Sequence, residues 1–295
     1  MSLEKLENLE FRGGWNLETI DCPLCGGRNF NRLVLEQNIP IVRCGQCSLV
    51  FANPRPNAEG LKQFYQDYFP PESASLWQEQ MAEIFLKEGL DRVNQLVDGK
   101  SRRLLDVGCG MGFFLKLMKE HGWSVDGIEP APEAAKHARE TLGLPIFEGT
   151  IEKAVLQDGS YDLVTLWYVL EHVPNPHEII ERCSKLLKPG GVLIIRVPNQ
   201  NIGIDVCLDR LGLQKYFLMN PPRHLFDWSP KTLGKMLKKY GFSVLSIRNG
   251  IPRKTGTWLE LLRRYAWYGV FEVLYWMTCG LFVRGSSMTV YARKS

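Results

Sequence analysis

Three groups of residues have the types and spacing that chemistry needs. Four cysteines form two pairs, Cys22/Cys25 and Cys44/Cys47, in the pattern C-x2-C-x18-C-x2-C. Four thiolates so spaced can close a tetrahedral zinc site, and residues 21–51 hold too little apolar core to fold without one. With sulfur in all four positions, the site is structural and leaves no position open for catalysis. The second group is Asp106-Val107-Gly108-Cys109-Gly110-Met111-Gly112-Phe113, a run of small residues between an apolar strand and a helix pattern. A ligand can approach the backbone closely there. The third glycine of a dinucleotide fingerprint is replaced by Phe113, and the Lys-Ser/Thr of a phosphate-gripping loop is missing, so neither reading applies. The third group comes from the histidines. His121 and His137 fall in helix patterns and read as surface, and His177 reads as a helix cap after Pro174 and Pro176. That leaves His172, which follows Glu171 at the mouth where open α/β sheets bind ligands, and His224, in the crossing segment Pro221 to Pro230. For either, a hydrogen bond that orders its own loop is the structural alternative.

Positioning these groups falls to an alternating pattern. Residues 102–107, 124–129, 146–148, 161–167 and 192–197 read as strands, and 113–121, 132–142 and 177–187 as helices, the last closed by Pro189-Gly190-Gly191. Repeated βα units imply a parallel sheet with helices on both faces, hence an α/β class. A helix at 230–240 and strands at 242–247 and 288–292 follow. Between the cysteines and the sheet lie a turn at Asn53-Pro54-Arg55-Pro56, a capping box of Ser75 and Gln78, and a helical stripe of Trp77, Met81, Ile84, Phe85, Val93, Leu96 and Val97. Tyr65, Tyr68 and Phe69 precede that stripe as core or pocket wall. The organisation expected is an N-terminal tail 1–20, a zinc-binding module 21–55, a helical linker or lid 56–98 and a catalytic domain 99–295, with an apolar helical insert at 251–285.

The glycine loop resembles motif I of class I S-adenosylmethionine-dependent methyltransferases, and four more motifs follow in that family's order. Glu129 ends the second strand, where such enzymes place an acid that accepts from both ribose hydroxyls. Gly149-Thr150 ends the third, near the adenine, and Trp167 is expected on the adenine side. Tyr161-Asp162-Leu163-Val164 through Leu170-Glu171-His172-Val173 is similar to the fourth-strand motif. Leu186-Leu187-Lys188-Pro189-Gly190-Gly191 is similar to the turn into the fifth. The resemblance implies a Rossmann-like sheet of seven strands, the last one antiparallel between strands five and six. It also implies S-adenosylmethionine held by Asp106, Gly108, Gly110, Gly112, Glu129, Thr150 and Trp167. CPLCGG, RCGQCSLVFANPRP and Phe64-Tyr65 resemble the N-terminus of a small-molecule and sugar methyltransferase subgroup.

Within that resemblance, Glu171, His172 and His224 are the catalytic candidates, as base or acceptor binder. Together they also resemble the ligands of divalent-metal-dependent methyltransferases, although Tyr168 stands where those carry a further Glu. Asn220-Pro221-Pro222 lies beyond strand five, too late in the chain for an amine-methylating motif. The expected reaction is O-methylation of a small-molecule or glycan-type acceptor, since a hydroxyl suits a histidine base near neutral pH. C-methylation of a nucleotide-linked keto sugar, RNA methylation and a non-catalytic cofactor-binding scaffold stand as alternatives. The few basic residues of 21–51 argue against nucleic acid.

Composition is consistent with this. The 295 residues are 45% hydrophobic and 23% charged, which excludes disordered, collagen-like and fibrous chains. Residues 1–15 lack a basic stretch followed by an apolar run, so a cytoplasmic, reducing compartment is expected, where paired cysteines favour metal. The charge is uneven: residues 231–295 carry twelve Lys/Arg against Glu260 and Glu272. Inside that basic end, residues 265–283 hold a single charge, Glu272. Two expectations stay open for 258–283: a helical pair packed on the protein or on a second copy as a homodimer, and peripheral contact with a membrane surface. A crossing is disfavoured, because both flanking strands must enter one sheet.

Overall fold

The computed structural model describes residues 16–65, 74–97, 102–199, 219–254, 257–280, 283–284 and 286–295. Tyr68, Phe69, Cys207 and the side chains of Tyr65, Ser75, Trp77 and Gln78 lie outside what is described.

The chain opens with β1 (Leu17–Glu18), β2 (Phe30–Glu36), β3 (Ile39–Cys44), β4 (Val50–Ala52) and β5 (Arg55–Pro56). β2 and β3 form an antiparallel hairpin that turns at Gln37 and Asn38, both at positive φ, as a two-residue hairpin loop demands. β4 pairs with β3, and β5 pairs back with β1. Helix α1 (Ala58–Tyr65) and helix α2 (Ala74–Ile84) follow. The latter runs through a π-helical segment, Phe85–Leu90, into α3 (Asp91–Leu96).

The chain then alternates β6 (Arg103–Val107), α4 (Phe113–Glu120), β7 (Ser124–Glu129), α5 (Pro132–Glu140), β8 (Ile146–Glu148), β9 (Tyr161–Trp167), α6 (Pro176–Leu186) and β10 (Leu187–Pro198). The remaining elements are β11 (Phe226–Asp227), α7 (Pro230–Lys239), β12 (Phe242–Asn249), α8 (Trp258–Met277) and β13 (Ser287–Lys294). Seven strands join in the order β12-β13-β10-β9-β6-β7-β8, and β13 runs antiparallel to both its neighbours, as expected. Because the central strands are covered on both faces, their residues alternate between two cores. Leu105, Val107, Val164, Leu193 and Ile195 join one, with α6 and α7; Leu104, Leu163, Val192 and Ile194 join the other, with α2 to α5.

The structure corrects several sequence expectations. β10 starts at Leu187, ahead of an irregularity at Lys188–Gly191, because Leu187 already pairs with Tyr161. Residues 258–277 form one helix and not a pair; Thr257 and Glu260 close a capping box at its start, and nothing breaks it before Thr278. Asn175, not His177, holds the N-cap position of α6, with Pro176 in the first turn.

Two devices fix the module and the linker against the sheet. β11, from the far side of β10 in sequence, becomes the edge strand of the module's sheet, in the order β11-β4-β3-β2. Glu36 Oε2 accepts from the N–H groups of Met219 and Asn220, so the Asn220-Pro221-Pro222 loop is a tie to the module. On the other side, fully buried Arg196 of β10 donates to Glu88 of the π segment, to Tyr168 Oη at 2.8 Å and to Ile251 O at 2.6 Å. A buried charge of this kind is tolerated only when paired and hydrogen-bonded, and this network meets both conditions.

Candidate active site

The glycine loop leaves β6 with Gly108, Gly110 and Gly112 at φ of 70°, 55° and 84°. A Cβ on Gly108 would come within 2.6 Å of Val169, and one on Gly112 within 2.6 Å of Leu144. At Gly110 it would meet nothing within 4 Å, so this side of the loop is open to a ligand. Beneath the loop, Glu129 is buried, its Oε2 accepting from Gly110 N at 2.7 Å and its Oε1 from Ala131 N at 2.9 Å. Burial raises its pKa against the pull of those two N–H groups. Asp106 is fully buried and accepts from Thr165 Oγ1 at 2.6 Å; burial, with Glu129 nearby, pushes it up to about 8. Thr150 is exposed just beyond Gly149, whose N–H donates to Glu129 O. Trp167 sits in the core, 4% exposed, with its ring 5.4 Å from Phe85 and 5.1 Å from Phe114.

Past β9 the chain turns through Tyr168, at φ 59°, and reaches Glu171 and His172. The crossing segment brings His224 against them: the two imidazoles meet edge to face with centroids 4.8 Å apart. The backbone holds this approach, since Glu171 O accepts from Leu225 N at 2.7 Å and Leu170 O from Trp228 Nε1 at 3.4 Å. Ligand atoms of Glu171, His172 and His224 all lie within 4.8 Å of one another.

The electrostatics of this cluster are unusual. Glu171 is 0% exposed, and neither carboxylate oxygen has a hydrogen-bond partner. Burial pushes its pKa up to about 8. His172 Nδ1 lies 2.6 Å from Arg223 O. A carbonyl only accepts, so Nδ1 carries the proton, and Nε2, 3.8 Å from Glu171 Oε1, presents a lone pair. Burial lowers His172 to about 4, against the pull of the Arg223 carbonyl and with the help of the Arg223 charge; burial and His172 lower His224 to about 2. Two neutral imidazoles, one tied through its second nitrogen to a carbonyl, beside a carboxylate without donors, form a donor set that suits a divalent cation. Tyr168 is no fourth ligand: its hydroxyl accepts from Arg196 Nε, and Arg253 lies 5.0 Å over its ring.

The module's sulfurs also converge. Cys22 Sγ lies 3.4 Å from Cys47 Sγ, Cys25 Sγ lies 3.5 Å from Cys44 Sγ, and all four fall within 4.8 Å. At Cys44, burial is outweighed by the N–H groups of Cys47 and Gln46, and the thiol is held below its ordinary pKa.

The sequence reading missed Arg223 and Arg196. Arg223 acts through its carbonyl as well as its charge, and a carbonyl leaves no side-chain signal. Arg196 did leave one: a lone arginine inside the apolar run Val192–Val197.

With this geometry in hand, residues 77–247 match a protein family described as methyltransferase domain. The chain is 39% identical over 120 residues to a ubiquinone biosynthesis O-methyltransferase of Vibrio parahaemolyticus, covering 38% of this chain and 51% of the relative. It is 40% identical over 117 residues to the protein of the same name from Xanthomonas oryzae pv. oryzae, covering 38% and 49%. The chain thus spans about half the length of the curated relatives it matches. Among solved structures, phosphoethanolamine N-methyltransferase 2 of Haemonchus contortus in complex with S-adenosyl-L-methionine superposes with a TM-score of 0.56 at 15% identity, covering 83% of this chain and 62% of that one. An S-adenosylmethionine-dependent methyltransferase of Thermotoga maritima gives 0.52 at 19% identity, covering 80% and 100%. At such identities the likeness shows the fold alone.

Proposed function

Because the chain belongs to the methyltransferase-domain family, we propose that it moves a methyl group from S-adenosylmethionine to a hydroxyl of a small-molecule or glycan-type acceptor. The observation that carries this reading is the Glu171, His172 and His224 cluster just past the carboxyl end of β9, close in the sheet to the glycine loop and Glu129. The name O-methyltransferase on the curated relatives supports the choice of oxygen.

The residues around the glycine loop fit the cofactor. Gly110 offers an open backbone face, and Glu129 keeps lone pairs for ribose hydroxyls after accepting one N–H on each oxygen. Asp106 and Thr150 complete this side. Bound there, S-adenosylmethionine supplies an electrophilic methyl on a sulfonium, with S-adenosylhomocysteine as leaving group. His172 holds the acceptor hydroxyl against Nε2. As the oxygen lone pair forms the new O–C bond, the hydroxyl proton becomes strongly acidic, so Nε2, although lowered to about 4, takes it, and the Arg223 carbonyl fixes the ring for that transfer. Catalysis is otherwise alignment, provided by the rigid ends of β6, β7 and β9.

A second reading has its own observation, the donor-free carboxylate of Glu171. Glu171, His172 and His224 would hold a divalent cation, which would polarise the acceptor hydroxyl and lower its pKa. Cys22, Cys25, Cys44 and Cys47 would hold a structural zinc, keeping β11 and the His224 segment in place. Zinc content near one per chain, lost on Cys44→Ser, checks that assignment.

The deciding experiment is calorimetry with S-adenosylmethionine and S-adenosylhomocysteine, followed by a screen of hydroxylated and sugar acceptors with labelled cofactor. Binding that Glu129→Ala abolishes, with label appearing on oxygen, is the expected result. A folded protein that binds neither ligand refutes the cofactor assignment, and label on carbon or nitrogen refutes the choice of oxygen.

A further inference from the structure

Helix α8 has the polarity of a surface helix reversed. Its inward stripe holds the polar groups. Tyr265 Oη donates to Glu83 at 2.9 Å, Glu272 Oε1 accepts from Asn249 at 3.1 Å, and Tyr275 is buried. Its outward face holds Trp258, Leu259, Leu262, Val273, Trp276 and Met277, each between 57% and 76% exposed. A solvent-facing helix ordinarily carries charge on this side, and a contiguous apolar face of about five turns marks a contact surface.

Three observations say what covers it. First, Trp258 and Trp276 lie eighteen residues apart. At about 3.6 residues per turn they share one side of the helix, roughly 27 Å apart. That places both rings at one depth when the helix lies flat, the arrangement tryptophan favours at a bilayer interface. Second, the charge around the face is positive. Arg263 is exposed on the helix, Arg248 lies 5.0 Å over the ring of Trp276, and Arg284 follows the helix. The acids are engaged: Glu260 accepts from Thr257 in the cap, Glu272 binds Asn249, and Glu83 pairs with Lys87 and Lys254. Third, of the basic residues in 231–295, Arg248, Arg263, Arg264 and Arg284 lie on or next to this helix, against Glu260 and Glu272 as its only acids. Two copies brought together on this face would repel each other, whereas anionic headgroups would be attracted. No helix among the described residues is long and apolar enough to cross a membrane.

We propose that α8 docks on an anionic lipid bilayer, lying in its plane with the face from Trp258 to Met277 among the upper acyl chains and Arg263 at the headgroups. The inference is independent of which acceptor is methylated.

Flotation of the full chain on vesicles of phosphatidylcholine, with and without phosphatidylglycerol, tests it. The chain is expected to float on the anionic vesicles and to remain behind with the neutral ones. Leu262→Asp and Val273→Asp each place a charge on the lipid side at exposed positions, and each is expected to cut partitioning at least about tenfold. Arg263→Gln is expected to weaken anionic binding by about fivefold. S-adenosylhomocysteine binding, measured on every variant, reports that the domain is folded. Flotation that both Asp variants leave unchanged places the lipid contact elsewhere and overturns the proposal. Failure of the wild type to float overturns it as well. If the wild type instead sediments as a dimer that Leu262→Asp dissociates, the face belongs to a second copy and not to lipid.

Discussion

Glu129, at the end of β7, and Glu171, in the turn that follows β9, are both buried glutamates near the carboxyl edge of the parallel sheet, next to strands that flank β6, and they are held in opposite ways. Each oxygen of Glu129 already accepts a backbone N–H, from Gly110 and Ala131. Neither oxygen of Glu171 has a donor. A fixed carboxylate with lone pairs to spare is a preorganised acceptor for neutral hydroxyls. A carboxylate buried without donors is costly as an anion and sheds that cost by keeping a proton or gaining a cation. The first arrangement suits binding. The second suits a centre whose charge must change during turnover, and it lies beside His172, whose ring the Arg223 carbonyl orients.

The comparison breaks most visibly in turnover. With a hydroxylated acceptor that the wild type methylates, His172→Ala and Glu171→Gln are expected to lower kcat by about a hundred- to ten-thousandfold while S-adenosylhomocysteine affinity is retained. Unchanged kcat in both variants would reduce the cluster to a loop brace.

Stability gives the next largest effect. The folded pKa of Glu171, about 8, lies above the unfolded value of about 4.3. The folded chain therefore binds more protons between those values. Stability falls as pH rises through that window and is level above about 8. In buffer without added divalent cation, Glu171→Gln removes this slope, and at pH 8 it is expected to be more stable than the wild type by on the order of 4 kcal/mol. Urea unfolding midpoints at pH 5, 7 and 9 read the difference, and parallel profiles for the two proteins would contradict the unpartnered carboxylate.

On the other side of the comparison, Glu129→Ala is expected to weaken S-adenosylhomocysteine binding at least about a hundredfold, since two hydrogen bonds to a charged acceptor are lost. Glu171→Gln leaves that affinity unchanged.

Much of Glu129's setting was legible in the sequence and little of Glu171's. The strand before the glycine loop carries Leu104, Leu105 and Val107 around the lone acid Asp106, and Glu129 ends the next strand. Its partners are Ala131, two residues on, and Gly110 of the glycine loop itself. Glu171 and His172 were legible as a pair, yet what defines them comes from afar. The carbonyl of Arg223 fixes the tautomer, and a backbone acceptor has no residue type. β11, which swings His224 into place, is two residues long, too short for any periodicity to reveal. Trp167 shows the converse. Its position at the end of β9 suggested the adenine side, but its ring lies in the core between Phe85 of the linker and Phe114 of α4.

The smallest expected effect asks whether a cation can make Glu171 resemble Glu129. Manganese suits two imidazoles and a carboxylate, whereas the four thiolates of the module favour zinc. His172 and His224, lowered to about 4 and about 2, are neutral above pH 6, each with a nitrogen lone pair to offer, so only Glu171 must lose a proton when the ion binds. Binding then releases one proton below pH 8 and none above it. Manganese affinity, followed by electron paramagnetic resonance on the zinc-loaded chain, is expected to rise about tenfold per pH unit from 6 to about 8 and then to level off. In Glu171→Gln the dependence should be flat and the affinity low. A wild-type profile that is flat from pH 6, with undiminished binding in Glu171→Gln, would mean that the ion sits elsewhere and that Glu171 keeps its proton throughout.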